Sequence, residues 1–134
     1  MGLQQDKTAG ICRIGDLGAA LALFTPIARE PIEVAAFAYL DPEWRLLGMR
    51  HTRSASRSRV DISLRAIATD ALVLDCAGVV MAHNHPGADP APSEADRAIT
   101  RQLARTLDSL GVRLLDHLVL AGDAVTSFRT LGLL

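Results

Sequence analysis

The sequence is poor in several features that would assign a chain quickly to a class. Its two cysteines, Cys12 and Cys76, are too few for a disulfide framework or a thiolate metal site, which favours a reducing, cytoplasmic compartment. Lys7 is the only lysine, and a formal net charge of −1 leaves no basic footprint for nucleic acid. No apolar run approaches ~20 residues, and the polar start lacks the apolar core of a signal peptide, so neither a membrane span nor a secretory leader is predicted.

What the sequence does have is the composition of one globular domain. Hydrophobic residues make up 49% of the chain, enough at 134 residues to bury a core. We predict a loose N-terminal leader over 1–14 and a single domain over 15–134. Helical and extended patterns alternate along that domain, which predicts an α/β (α+β) fold with a mixed, partly antiparallel sheet flanked by helices.

The predicted elements follow the hydrophobic periodicity and its breakers. Helices are predicted over 16–25, over 62–77 with Gly78 as the stop, and over 93–111 with Gly111 as the stop. Strands are predicted over 32–41, 43–52, 79–82, 112–121 and 124–128, the last two as a hairpin across Gly122-Asp123. Residues 53–59, RSASRSR, are predicted as an exposed loop.

The chemistry of the chain is concentrated in residues 83–96, HNHPGADPAPSEAD. Side chains two apart on an extended segment point the same way, so His83 and His85 face one side at the end of a strand. Asp96, at the start of the next helix, can supply a third ligand across a stiff Pro/Gly loop. Two histidines, one carboxylate and an open fourth position are the ligand set of a catalytic zinc site. This predicts one Zn²⁺ per chain, with a bound water whose pKa is lowered to ~7.

Two further residues complete this hypothesis. Glu33 stands in an apolar strand segment where an unpaired carboxylate is costly, and a general acid/base beside the metal would explain its presence. Ser93 would lie beside the metal as a hydroxyl donor to the oxyanion that forms when water attacks a carbonyl.

Each residue also has a structural interpretation. Ser93 and Asp96 fit a helix capping pattern, Glu33 fits an exposed strand edge, and a His-x-His pair fits a surface loop. The joint spacing His-x-His-x7-Ser-x2-Asp, with an upstream acid, favours the metal site. The contiguous letters HNH do not make the nuclease of that name, whose residues are scattered along a ββα unit.

His83, His85, Ser93 and Asp96 match the signature of the JAMM metallopeptidases, also called MPN+ or JAB. The wider context, MAHNHPGADPAPSEAD followed by LLDHLVLAGDAVTSFRTLGLL, resembles the RadC-type branch from about position 16 to the C-terminus. The resemblance implies a cytidine-deaminase-like JAMM fold and the residue roles already hypothesised. Members of this branch usually carry an N-terminal helix-hairpin-helix segment; this chain resembles the catalytic-type domain alone.

The chain departs from the branch around the site. Gly87 and Ala88 stand where the family loop is usually Ser-Gly, Leu64-Arg65-Ala66 replaces Pro-Arg-Glu, and Thr130 replaces a glutamate. These changes affect substrate choice more than metal binding. Arg65, Asn84 and His117 are the candidate substrate contacts, although His117 also fits a buried strand histidine or a partner of a metal ligand.

The resemblance implies a zinc-dependent metallopeptidase or isopeptidase acting on a peptide or isopeptide-linked protein. One alternative is a DNA-repair-associated accessory protein, the family's historical label, which would contact phosphate through Arg53, Arg57 and Arg59. Another is a non-catalytic interaction module on the same fold. The arginines, with Arg50, otherwise form a solvated surface.

Overall fold

The computed structural model describes residues 3–5, 17–53, 62–87 and 89–134. Its elements, in chain order, are β1 (Leu3–Gln5), α1 (Leu17–Phe24), β2 (Val34–Leu40), β3 (Leu46–Arg53), α2 (Leu64–Leu74), β4 (Gly78–Asn84), α3 (Glu94–Asp108), β5 (Arg113–Ala121) and β6 (Ala124–Ser127). A short 3₁₀ turn over Thr25–Ile27 follows α1.

The six strands of the described chain form one sheet in the order β1-β3-β2-β4-β5-β6. Strands β4 and β5 run parallel, with α3 in the connection between them, and the other neighbours are antiparallel. The predicted mixed sheet flanked by helices is therefore confirmed. β2, β4 and most of β5 are buried because helices cover both faces, so these strands are apolar runs rather than alternating ones.

Two hydrophobic layers pack on the two faces of this sheet. On one face, Phe24 of α1 and Ile27 of the following turn pack against the even-numbered residues of β2. On the other, Ile67 of α2 and Leu103 of α3 pack against the odd-numbered residues of β2 and β4. The side chain of His83 belongs to this second face by the alternation of β4, so it lies under α3.

Several boundaries differ from the sequence prediction. Helix α2 ends at Leu74 because Asp75 takes the left-handed conformation (φ 51°) that closes the helix, and Gly78 instead begins β4. A Cβ on Gly78 would lie 2.8 Å from a methyl of Leu115 and 2.9 Å from the Trp44 ring, so close packing explains this glycine. Gly111, at φ 74°, does follow the end of α3 as predicted.

Two other expectations change. Within the predicted loose leader, Leu3–Gln5 pairs with β3 as an edge strand, and the remainder of 1–14 lies outside the described residues. Arg50 is not part of a solvated surface, because its guanidinium binds the buried carboxylate of Asp70. Asp70 Oδ2 also accepts a hydrogen bond from the Tyr39 hydroxyl, with the two oxygens 2.6 Å apart. None of the helices in the described ranges combines the length and the apolar character that crossing a bilayer requires.

Candidate metal centre

His83 and His85 lie where β4 leaves the sheet, and their rings meet edge to face. The centroids are 4.8 Å apart and the two Nε2 atoms 3.0 Å apart, so the side chains converge as the His-x-His spacing predicts. His83 is buried, and the backbone N–H of His85 donates to the carbonyl of Leu120 in β5 at 2.7 Å. The ends of two parallel strands thus hold the pair in place.

Asp96 is brought to the same point by the first turn of α3. Its Oδ1 lies 3.3 Å from His83 Nε2, and its Oδ2 lies 3.2 Å from His85 Nε2. The same carboxylate accepts the N–H of Ser93 at 2.8 Å, while Ser93 Oγ accepts the N–H of Asp96 at 3.0 Å. The capping interpretation is therefore confirmed, and the capping box fixes the same carboxylate that faces the two histidines, so it does not exclude a ligand role for Asp96.

The spacing of these donor atoms fits a tetrahedral divalent cation. Bonds of about 2.0–2.1 Å to nitrogen and oxygen place neighbouring ligand atoms about 3.3 Å apart in a tetrahedron. The two Nε2 atoms are 3.0 Å apart, and each has a different carboxylate oxygen of Asp96 at a similar distance, 3.3 Å for His83 and 3.2 Å for His85. His85 Nδ1 lies 3.0 Å from the carbonyl of Asp89, which can only accept, so Nδ1 carries the proton and Nε2 is left as a lone pair in the neutral ring. Lone pairs converging at this distance repel one another unless a cation lies between them. His83, His85 and Asp96 therefore form a group that could hold a metal ion.

The protonation behaviour of these groups reflects their mutual attraction. Burial raises the pKa of Asp96, but the contacts of its carboxylate with the His83 and His85 rings outweigh burial, so the net shift is well below the usual range. The hydrogen bond to Asp96 raises the pKa of His85, against an opposing contribution from burial.

Glu33 immediately precedes β2 rather than lying within it, and is half-buried. Ala35 pairs with His83 across the antiparallel β2–β4 ladder, so continuing this register places position 33 opposite position 85 on the same face. The hydrogen bond to Asp96 is the main cause of the raised pKa of His85, and the negative charge of Glu33 adds a smaller contribution in the same direction.

The amide of Asn84 holds the segment that carries Glu33. Its NH₂ group donates to the carbonyls of Glu30 and Ile32, each at 3.0 Å, and its oxygen accepts the N–H of Val34 at 2.6 Å. Asn84 is fully buried, on the opposite face of the strand from His83. This geometry favours a positioning role for Asn84 over the predicted contact with substrate.

His117 is likewise fully buried, in β5 behind His83, rather than facing a substrate. Its Nε2 lies 2.6 Å from His83 Nδ1, and its Nδ1 lies 2.7 Å from the hydroxyl of Thr100. Of the interpretations open from the sequence, a buried histidine that partners a metal ligand agrees with these contacts. Burial lowers the pKa of His117 well below its usual value, which favours the neutral ring.

The remaining candidates are spread around the site. Ser93 is exposed at the start of α3, next to Asp96, and Arg65 is exposed in the first turn of α2; the substrate contact predicted for Arg65 stays a prediction. Arg53 lies 3.4 Å from a carboxylate oxygen of Glu30, and Arg57 and Arg59 lie outside the described residues.

Sequence reasoning missed Thr100 and the carbonyl of Asp89. Thr100 lies four residues after Asp96 on the buried face of α3, and a lone hydroxyl on an apolar helix face was the available signal. The carbonyl of Asp89 is a backbone group, for which the residue type carries no signal.

Comparisons with known proteins show the family to which the chain belongs. The family model of the RadC-like JAB domain matches residues 16–133. A UPF0758 protein of Cupriavidus necator is 41% identical over 101 residues, covering 75% of this chain and 44% of the relative. A second, of Bordetella avium, is 34% identical over 110 residues, covering 82% and 49%. The chain thus spans less than half the length of these relatives. Among solved structures, a cytidine deaminase from Burkholderia pseudomallei aligns with 84% of this chain and 93% of its own at 21% identity, with a TM-score of 0.37.

Proposed function

The chain belongs to the RadC-like JAB domain family, and on that premise we propose that it is a zinc-dependent hydrolase that cleaves an amide bond. The observation that carries this proposal is the convergence of His83, His85 and Asp96, whose ligand atoms lie within 4.8 Å of one another. Two histidines and one carboxylate are also the protein ligands of catalytic zinc sites that keep a fourth position open. When bound, zinc would supply Lewis-acid chemistry that makes water a nucleophile at neutral pH.

The protein's own groups would supply the proton transfers. Glu33, within electrostatic range of His85, would accept a proton from the attacking water and deliver it to the leaving amine. Asn84 would keep that carboxylate in place through its three backbone contacts. Holding the segment at three points limits the motion of Glu33, as proton transfer requires.

Ser93 would stabilise the substrate oxygen as it gains negative charge. The N–H of Asp96 occupies Ser93 Oγ as an acceptor, so the hydroxyl hydrogen remains available for donation. Because the capping box fixes the Ser93 backbone, this donor is oriented before substrate binds. Removing one such donor typically lowers kcat about 100- to 1,000-fold.

We propose a peptide or an isopeptide-linked protein as the substrate class, and the cytoplasm as the compartment. A non-catalytic interaction module is less well supported, because such a module has no need of a complete ligand set with an acid beside it. Direct binding to DNA is also less well supported, since Arg53 lies beside Glu30 and Arg50 is paired with Asp70.

The test compares Glu33→Gln with the unmodified chain. Zinc content is measured by plasma mass spectrometry, and activity on a panel of peptide and isopeptide conjugates by mass spectrometry of the products. We expect Glu33→Gln to retain zinc and to lose activity by about 100- to 10,000-fold, the usual contribution of a general acid/base.

Glu43→Gln is the matched control, because Glu43 lies in the β2–β3 turn at the far end of the sheet and is exposed. It should retain both zinc and activity. A protein that takes up no zinc, or a Glu33→Gln variant as active as Glu43→Gln, would contradict the proposed function.

A further inference from the structure

A continuous chain of hydrogen bonds runs through the core behind His83. His83 Nδ1 lies 2.6 Å from His117 Nε2, His117 Nδ1 lies 2.7 Å from Thr100 Oγ1, and Thr100 Oγ1 lies 2.6 Å from the carbonyl oxygen of Asp96. His117 and Thr100 are both buried, at 0% and 1% exposure. The chain therefore begins at one metal ligand and ends on the backbone of another, without reaching solvent.

The direction of the chain follows from its last link. A carbonyl oxygen can only accept, and two oxygens 2.6 Å apart require a hydrogen between them, so the Thr100 hydroxyl donates to Asp96. Thr100 Oγ1 must then accept a hydrogen bond from His117 Nδ1–H. The His117 ring is fully buried and, among the described residues, has His83, Thr100 and Phe128 but no carboxylate against it, so a charged ring would be uncompensated and the neutral form is favoured. Its Nε2 is then a lone pair that accepts a hydrogen bond from His83 Nδ1–H.

We propose that Thr100 and His117 are positioning residues that hold His83 in the tautomer protonated on Nδ1, so that its Nε2 keeps a lone pair directed at the metal position. The proposal rests on the metal site of the proposed function. It assigns Thr100, a residue with no ligand atom of its own, control over whether His83 can bind a cation.

Two contacts show that His117 is held rigidly enough for this role. Its ring stacks on Phe128 at 4.4 Å with 17° between the planes, and its backbone N–H donates to Asp116 Oδ1 at 2.7 Å. His85, by contrast, has its Nδ1 beside a backbone carbonyl, that of Asp89. Both histidines are thus oriented through Nδ1, but only for His83 does the orientation depend on replaceable side chains.

The experiment compares Thr100→Val with Thr100→Ser. Valine has nearly the shape of threonine but no hydroxyl, so His117 Nδ1–H would lose its buried acceptor. His117 would then carry its proton on Nε2 and donate a hydrogen bond to His83 Nδ1. The proton of His83 would therefore lie on Nε2, the nitrogen that a metal must bind. Serine keeps the hydroxyl and therefore the chain of hydrogen bonds.

Two measurements report the outcome. Long-range ¹H–¹⁵N correlation spectra of metal-free protein identify the protonated nitrogen of each histidine, and competition with a chromophoric chelator gives the zinc affinity. We expect His83 to be protonated on Nδ1 in the unmodified chain and in Thr100→Ser, and on Nε2 in Thr100→Val. We expect the zinc affinity of Thr100→Val to fall roughly 10- to 100-fold, as for other partners of metal ligands, and that of Thr100→Ser to be unchanged.

The proposal is overturned if His83 of the unmodified chain carries its proton on Nε2, or if folded Thr100→Val binds zinc as tightly as Thr100→Ser. The spectrum of the unmodified chain decides the matter even if Thr100→Val fails to fold. A chain with the expected tautomer that binds zinc but cleaves nothing would contradict the proposed function and leave this inference standing.

Discussion

The substitution Asp96→Asn separates the helix-capping role of this carboxylate from the ligand role that we propose for it. Asparagine keeps a side-chain oxygen that can accept the Ser93 N–H, so the cap at the start of α3 is retained. It loses the negative charge and the second carboxylate oxygen that face the two histidines. We therefore expect a protein that folds nearly as well as the unmodified chain but whose Tm rises much less when zinc is added.

The magnitude can be worked out for a chain of this size. At a free zinc concentration of ~100 times Kd, binding adds about 2.7 kcal/mol to the free energy of unfolding. With an unfolding entropy near 2.1 cal/mol/K per residue, 134 residues give about 0.28 kcal/mol/K, so Tm should rise by about 10 °C. A ~100-fold weaker Asp96→Asn site would gain only about 0.4 kcal/mol at the same zinc concentration, or about 1.5 °C.

Differential scanning fluorimetry with and without zinc measures both numbers. Asp108→Asn, an exposed aspartate at the other end of α3, is the matched control and should keep the full zinc shift. Asp96→Ala also removes the acceptor of the Ser93 N–H, although Ser93 still caps the helix, and without metal its Tm should fall by about 4 °C, from a loss of about 1 kcal/mol. A zinc shift equal in Asp96→Asn and Asp108→Asn would refute the assignment of Asp96 as a ligand.

Two further outcomes concern groups away from the centre. Asp70→Asn weakens the pairing with the part-buried Arg50 guanidinium and the hydrogen bond from the Tyr39 hydroxyl. The free energy of unfolding, measured in urea, should therefore fall by about 2–3 kcal/mol. A fall below about 0.5 kcal/mol would contradict the idea that this network stabilises the fold. Burial, and then the charge of Arg53, lower the pKa of His51. As the pH falls, His51 is therefore protonated in the unfolded chain before it is protonated in the folded chain. The stability that His51 contributes is present above about pH 6.5, its ordinary pKa, and is lost as the pH falls towards the lowered pKa of the folded protein. His51→Gln should reduce the fall in Tm on acidification, and an unchanged pH profile would rule out this contribution.

Much of the centre could be predicted because its signals are local. The side-chain alternation of an extended segment puts His83 and His85 on one side, and the residue types and spacing of Ser93 and Asp96 indicate a helix start. The element order and the mixed sheet followed from hydrophobic periodicity. Family membership, expected from the same residues, is shown by the match over residues 16–133.

The sequence predicted less well where a residue type has more than one use. Gly78 was expected to stop a helix, yet it lies in a strand. It is a glycine there because Leu115 and Trp44 leave no room for a Cβ. Arg50 was expected on a solvated surface, yet it is paired with Asp70, which lies 20 residues further along the chain. In both cases the partner is distant in sequence, so no local pattern carries the information.

The sequence by itself determined the ligand types, their local order and the helix cap, because these depend on backbone period and on residues within a few positions of one another. Only the tertiary structure decided which nitrogen of His83 faces Asp96 and which faces the core, since β5 and α3 bring His117 and Thr100 behind His83 from 34 and 17 positions further along. It also decided that Asn84 holds the Glu33 segment across 50 or more residues. Hydrogen-bond direction depends on which partner lies at contact distance, and that is set by how strands and helices pack.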